Sequence, residues 1–332
     1  MLQRRQFLRF SPSRYLSSDG YWLHVSRAIM ACRFEVTIHR PEPAGMSVAN
    51  AALDTAARLE RQLTVFKDSS EVSYINRSAA CHATRVEQSL WELLIFCSRL
   101  HRETGGSFDI TSAPLSRCWG FLKRQGRAPE ANEIEEALAA VGSDKLRFDH
   151  ETRTLRFERP GVELNFGSIG KGYALDRMGG VIRRGVQTAL LSAGSSSLLA
   201  IGAGDRRQGG WKVGIRHPAD RNRRIAELRL RDCAMSTSGS EEQFFEHEGK
   251  RYGHIIDPRS GQPAEGIASA TVIAQSAALT DALATAFYVS GVELAERYCA
   301  SNPGVMAIIL ESGAKRPVII GANDKCNVEI LS

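Results

Sequence analysis

Three short strings in this sequence hold residue types that do chemistry when they are brought together. The first, Gly167-Ser168-Ile169-Gly170-Lys171-Gly172, clusters glycines ahead of a helical stretch. Backbone N–H groups in such a turn can approach a phosphate, and the dipole of the following helix favours its charge. The string matches neither nucleotide signature. A P-loop needs Gly where Asn165 stands and Ser or Thr where Gly172 stands, and GxGxxG does not fit. Plain turn chemistry accounts for the glycines equally well. In the second string, Asp281 and Thr285 are four residues apart, so on a helix their oxygens share one face. A carboxylate and a hydroxyl are hard donors suited to Mg²⁺, which completes its octahedron with carbonyls, waters and substrate phosphates. Capping and an exposed polar face are the alternative. The third is His254-Ile255-Ile256-Asp257-Pro258, where the imidazole is either a general base or a packed side chain before a turn.

Other catalytic patterns are missing from the sequence. There is no GxSxG or HExxH, and the seven cysteines are scattered without a CxxC or a histidine at zinc-finger spacing. An odd number of dispersed thiols implies idle or buried side chains and fits a reducing compartment.

The elements that must hold these strings follow from periodicity. Arg33 to His39 alternates as a strand, and Val48, Ala52, Ala56, Leu59 and Leu63 form one helical stripe after Pro43. Leu90 to Leu100 predicts a second helix, stopping near Gly105-Gly106. Ile134, Leu138 and Val141 predict a third, with Pro129 in its first turn and Gly142 as its stop. Leu146/Phe148 and Leu155/Phe157 predict a hairpin. Leu164 to Phe166 reads as a short strand entering the glycine turn, with a helix over 173–184 beyond it. Strands follow at 188–191, 198–201, 211–215, 225–230, 243–246 and 271–274, and a helix at 280–290. Hairpins without a regular βαβ beat predict an α+β fold, with mixed or antiparallel sheets, flanking helices and one bilobed domain.

With 332 residues, 43% apolar and 24% charged, the chain has the composition of a globular domain with a substantial core. The 43 basic against 37 acidic residues leave a net +6 without long Lys/Arg blocks, which argues against a nucleic-acid partner. No apolar run approaches the roughly 20 residues of a membrane span. Arg4-Arg5-Gln6-Phe7-Leu8 resembles a twin-arginine signal but lacks the apolar segment after it, and Ile29-Met30-Ala31-Cys32 is a loose lipobox lookalike. Residues 1–28 are expected to be an N-terminal extension, 29–332 the domain, and the location cytoplasmic.

The strings also occur in a specific order. Phe108-Asp109-Ile110-Thr111, Trp119-Gly120-Phe121, Gly167 to Asp176, Thr237-Ser238-Gly239, His254 to Pro258 with Gly261 and Pro263, and Asp281 with Thr285 together resemble the ApbE-like family of FAD:protein FMN transferases. The resemblance runs from about Met30 to Gly291. It implies an FAD groove between two lobes and an Mg²⁺-dependent transferase. Such an enzyme splits FAD at its pyrophosphate, attaches FMN through a phosphodiester to a threonine of an acceptor protein and releases AMP. By matching motif position it implies His254 as the base. Asp281, Thr285 and the carbonyl of Ser168 are implied as metal ligands. Met30, Phe66, Ser107, Phe108, Asp109, Asn165, Lys171 and Ile255 are implied to line the FAD groove. Three positions depart from the family pattern: Asn165 replaces Asp, Gly194-Ser195 replaces Gly-Gly, and Met30-Ala31-Cys32 replaces Met-Gly-Thr. The alternatives are an FAD pyrophosphatase, with water in place of the threonine hydroxyl, and a flavin-binding protein of low turnover.

Overall fold

The computed structural model describes residues 22–39, 42–122, 125–204, 209–220, 222–239 and 243–331. Its frame is an eight-stranded sheet in the order Trp22–Ile29, Cys32–His39, Ala189–Ala193, Ser197–Ile201, Ala234–Gly239, Ile267–Ala274, Met306–Glu311 and Val318–Gly321. Every ladder in it is antiparallel. Because strand side chains alternate between faces, one set can bury against helices and the other against a second sheet. Phe34, Val36, Leu191, Leu199, Val272 and Ile309 face the helices in the larger core. Leu198, Ala200, Met235, Ile273, Met306 and Ile308 point the other way, onto the three-stranded sheet of Trp211–Arg216, Arg224–Leu230 and Cys326–Ile330. The fold is α+β, as expected.

The helical stripe read after Pro43 becomes Gly45–Leu63, which buries Ala52, Ala56, Leu59 and Leu63. The second helix is Gln88–Glu103 and the third Ala131–Ala139. Pro129 lies outside that third helix, ahead of the N-cap Glu130, whose capping box with Glu133 fixes the start. Leu164 to Phe166 is not a strand. Asn76 replaces the ladder, donating to the Leu164 carbonyl at 3.0 Å and accepting from its N–H at 2.8 Å, while the Asn165 N–H donates to the Ile110 carbonyl at 2.7 Å. The next helix, Gly170–Ile182, starts earlier than periodicity suggests, so Lys171 and Gly172 sit in its first turn. The long helix Ala277–Ser301 breaks at Gly291, whose φ of 72° only glycine adopts without strain.

Trp22–Ile29 pairs along its whole length with Cys32–His39, so the folded unit takes in residues the sequence assigns to an N-terminal extension. The arginine pair at Arg4-Arg5 lies outside the described residues. Among the described residues no helix is long and apolar enough to cross a membrane.

The hairpin joining the first two strands is closed by Met30 and Ala31 alone, at φ 50° and 56°. Two-residue turns of this kind need both residues in the left-handed region, where Gly and Asn are favoured and alanine is strained. Ala31 stands where the resembling family has glycine. Ala31→Gly should therefore stabilise the protein by about 1 kcal/mol, read as a higher urea midpoint at unchanged m-value. An unchanged midpoint would show that the turn relaxes around alanine.

Candidate functional site

Helix Gly170–Ile182 has no side-chain cap of its own at Ile169. Its third N–H, that of Gly172, instead donates at 2.9 Å to Oδ2 of Asp281, a residue of the long helix. The reverse also holds. Asp176 accepts from the N–H groups of Ala277 and Ala278 at 2.8 and 2.9 Å and from the Ser276 hydroxyl at 2.7 Å, which closes the start of the long helix. The two helices thus cap each other, each placing a carboxylate at the other's positive end. They cross closely enough that a Cβ on Gly172 would lie 2.1 Å from the Ala277 carbonyl oxygen. Glycine at that position is therefore fixed by packing.

Hydroxyl-bearing turns from the sheet complete the cluster. Ser197 donates to Oδ1 of Asp281 at 3.1 Å, and the Lys171 ammonium donates to Ser196 Oγ. Thr285 lies one helical turn beyond Asp281; its hydroxyl is 3.4 Å from the Asp281 carbonyl, to which it donates, and 3.3 Å from Ser238 Oγ. Ser236 meets Thr280 at 2.9 Å and fastens the strand to the same helix. Ser168, half-buried, is in the turn just before Gly170. Asn165 folds that turn: its Oδ1 accepts from the Gly167 N–H at 2.8 Å, a bond an aspartate would make equally well. The structure therefore gathers Lys171, Asp281 and Thr285 with the glycine turn. It adds Ser196, Ser197 and Ser238, which sequence reasoning did not assign, because short serine strings are too common to stand out.

The donor set is carboxylate, hydroxyl and carbonyl oxygen. Among the described residues no group of three or more His, Cys, Asp or Glu forms a metal cage. The Asp281 carboxylate accepts from the Gly172 N–H and the Ser197 hydroxyl and is the anionic oxygen donor of the set. Such a sparse hard set fits Mg²⁺, which keeps waters and takes phosphate oxygens, better than a metal held by protein alone.

His254 belongs to a separate cluster, at the end of the hairpin Phe244–His247 and Lys250–Gly253. Its backbone N–H and its ring Nδ1 both lie 3.1 Å from the Gln243 carbonyl. The Phe121 ring stands at 6.4 Å and 72° to the imidazole. Ile255 packs on the larger core, and its carbonyl accepts from Ala264, whereas Ile256 packs on the small aromatic core of Trp119 and Phe121.

The segment 107–109 has a different character. Phe108 is fully buried, and Ser107 Oγ meets Ser290 Oγ at 2.7 Å while donating to the Thr104 carbonyl. The Asp109 side chain is 1% exposed and accepts from the N–H and hydroxyl of Thr111, the N–H and hydroxyl of Ser143, and His101. The side chains of Phe108 and Asp109 are internal; they tie down the loop whose Ile110 holds Asn165. Phe66, by contrast, is 76% exposed, and Met30 is half-buried with its N–H donating to Glu60. Of two surface cavities of about 650 and 410 Å³, the first lies between the helices of Asp54 and Arg177 and is lined in part by the capping Asp176, and neither is lined by Lys171, Asp281 or Thr285. Five of the seven cysteines are buried, and burial pushes the Cys233 thiol up to about 11.

Residues 30–310 match the ApbE family. The chain is 30% identical over 250 residues to an FAD:protein FMN transferase of Klebsiella pneumoniae, covering 74% of this chain and 77% of that protein. It is 28% identical over 312 residues to one of Treponema pallidum, covering 90% and 86%. Among solved structures it is similar to the ApbE protein of Thermotoga maritima, with TM-score 0.81, 27% identity and coverage of 91% and 97%. It is also similar to the apo form of the Pseudomonas stutzeri flavinyl transferase ApbE, with TM-score 0.77, 29% identity and coverage of 90% and 94%.

The internal knot makes stability depend on pH. Burial opposes charge on His101, yet the hydrogen bond and charge of Asp109 outweigh it and raise the imidazole above its ordinary value. Burial also opposes the Asp109 carboxylate, but the bonds from His101 and Thr111 prevail and hold it below the usual range. A raised histidine stabilises fully below its unfolded value of about 6.5 and loses that contribution as pH rises through the folded value. Asp109 behaves oppositely, its contribution disappearing as pH falls through its lowered value. Urea unfolding of His101→Gln should therefore show a flatter loss of stability than wild type between about pH 6 and 8. Parallel curves would mean that His101 is not charged in the folded protein.

Proposed function

The chain belongs to the ApbE family, and from that premise we propose that it splits FAD at the pyrophosphate and transfers FMN to a threonine hydroxyl of an acceptor protein, releasing AMP. One observation carries the reading: a helix start, a lysine and hard oxygen donors from three elements converge where the long helix places Asp281 and Thr285. A pyrophosphate is a ligand of the kind such a site suits, since N–H groups, an ammonium and a positive dipole all favour anionic oxygens.

In this reading Lys171 holds phosphate charge, and Met30, Phe66, Ser107, Asn165 and Ile255, with the backbone at Phe108 and Asp109, border the flavin groove. Asp281, Thr285 and the Ser168 carbonyl would hold Mg²⁺, which supplies charge neutralisation at the phosphates. His254 takes the proton of the incoming hydroxyl while the threonine oxygen bonds to phosphorus. The pyrophosphate P–O bond breaks and its electron pair leaves on AMP. Incubation with FAD and Mg²⁺, with and without a threonine-bearing peptide, separates this from the alternatives. AMP release that requires the peptide, together with an FMN-sized mass gain on it, is expected. AMP without peptide would instead indicate a pyrophosphatase, and no AMP in either case a flavin-binding protein.

Two substitutions test the roles. Asp281→Asn removes the one carboxylate and turns an NH₂ toward a donor, so Mg²⁺-dependent turnover should be abolished; turnover with an unaltered Mg²⁺ response would overturn the metal assignment. His254→Ala should cut FMN transfer by roughly two to four orders of magnitude, with FAD affinity by calorimetry nearly unchanged, because a base acts in the transition state. Full transfer in that variant would remove His254 from the chemistry.

A further inference from the structure

The contact of His254 with the Gln243 carbonyl shows which ring nitrogen carries the proton in the neutral imidazole and what holds the ring. A carbonyl oxygen only accepts, so the nitrogen 3.1 Å from the Gln243 carbonyl, Nδ1, carries the ring proton in the neutral imidazole. The lone pair then belongs to Nε2. The Gln243 carbonyl takes the His254 backbone N–H as well, so residue 243 controls both the main chain and the ring. Its own side chain is tethered in turn: Gln243 Nε2 donates to the Phe121 carbonyl at 3.1 Å. The loop closes through the Phe121 ring, which meets the imidazole edge-on and packs at 5.5 Å on Phe245. Phe245 stacks on Tyr252 at 5.2 Å and 13°, and Tyr252 packs against Trp119, whose indole N–H donates to the Gly261 carbonyl at 2.8 Å.

We infer that Gln243 is a positioning residue, which, through its tether to Phe121, fixes His254 as the Nδ1–H tautomer and aims Nε2 as the base nitrogen. This deepens the reading given under Proposed function and rests on it. Unlike an apolar residue of the same size, glutamine links the hairpin carrying the histidine to the Trp119–Phe121 segment by a directional bond. The ring orientation is therefore set from outside the hairpin.

The test uses the full chain and two variants. In ¹⁵N spectra of the histidine rings, the resonances missing from His254→Ala identify His254. Wild type is expected to show a protonated Nδ1 and an unprotonated Nε2. Gln243→Leu removes the donor, and the isosteric Gln243→Glu fills the same volume with an acceptor. Both should give mixed tautomers and a turnover number lowered about three- to tenfold, the usual worth of one hydrogen bond, with KM for FAD unchanged. A protonated Nε2 in wild type overturns the tautomer assignment, and wild-type spectra and rates in both variants overturn the role of Gln243. Full transfer by His254→Ala would instead remove His254 as the base on which this inference rests, and the spectra distinguish that failure from this one.

Discussion

The reciprocal capping of two helices is the constraint on which the site depends. Asp281 supplies the missing cap of helix Gly170–Ile182, and Asp176 on that helix caps the start of Ala277–Ser301. Each carboxylate satisfies N–H groups that a helix start cannot satisfy itself, and each sits in a favourable dipole field. The arrangement works only because Gly172 has no side chain at the crossing. It locks the Asp281–Thr285 face against the glycine turn, so the relative placement of lysine, carboxylate and hydroxyl is set by backbone geometry. Side-chain choice alone would leave it far looser.

In the function proposed above, this makes Asp281 a group shared by structure and chemistry. Its carboxylate is ordered by the cap and buried. Under that proposal, little conformational freedom would remain to be lost on binding a cation or phosphate. Asp109 is the contrasting case: every direction around it is taken by an internal partner, and it is spent on holding loops together.

Elements with strong periodicity were legible in the sequence because burial imposes that periodicity. The helix Gly45–Leu63 and the hairpin at Leu146–Asp149 and Thr154–Phe157 are examples. What escaped depends on contacts distant in sequence. Leu164 to Phe166 looks like a strand by composition, but Asn76 occupies its hydrogen bonds. The early start of the helix at Gly170 is permitted by Asp281, which caps Gly172 from 109 residues further along. Asp281, Thr285 and Lys171 were identifiable as a set because their motifs kept their order. Ser196, Ser197 and Gln243 carry no local signature, since their roles come from partners that only the fold brings near. Phe108 and Asp109 show the converse, a recognisable motif whose side chains lie inside the protein.

The sheet order has a consequence for how the molecule is made. Ile38 pairs with Ala189 across all the intervening helices and the small sheet they accompany, and Ser236 pairs with both Ser197 and Val272. Closing such long loops carries an entropy cost that is met before the pairing gains anything, and folding slows accordingly. The helix Gly45–Leu63, built on local contacts, is free of that delay. The cluster around Asp281 draws on residues spread from the glycine turn to the last long helix, so it is complete only when the central strands have zipped together. A ribosome-bound chain that has not yet released the Ala277–Ser301 segment therefore lacks Asp281 and Thr285 and cannot assemble the cluster, however much of the earlier chain has already folded.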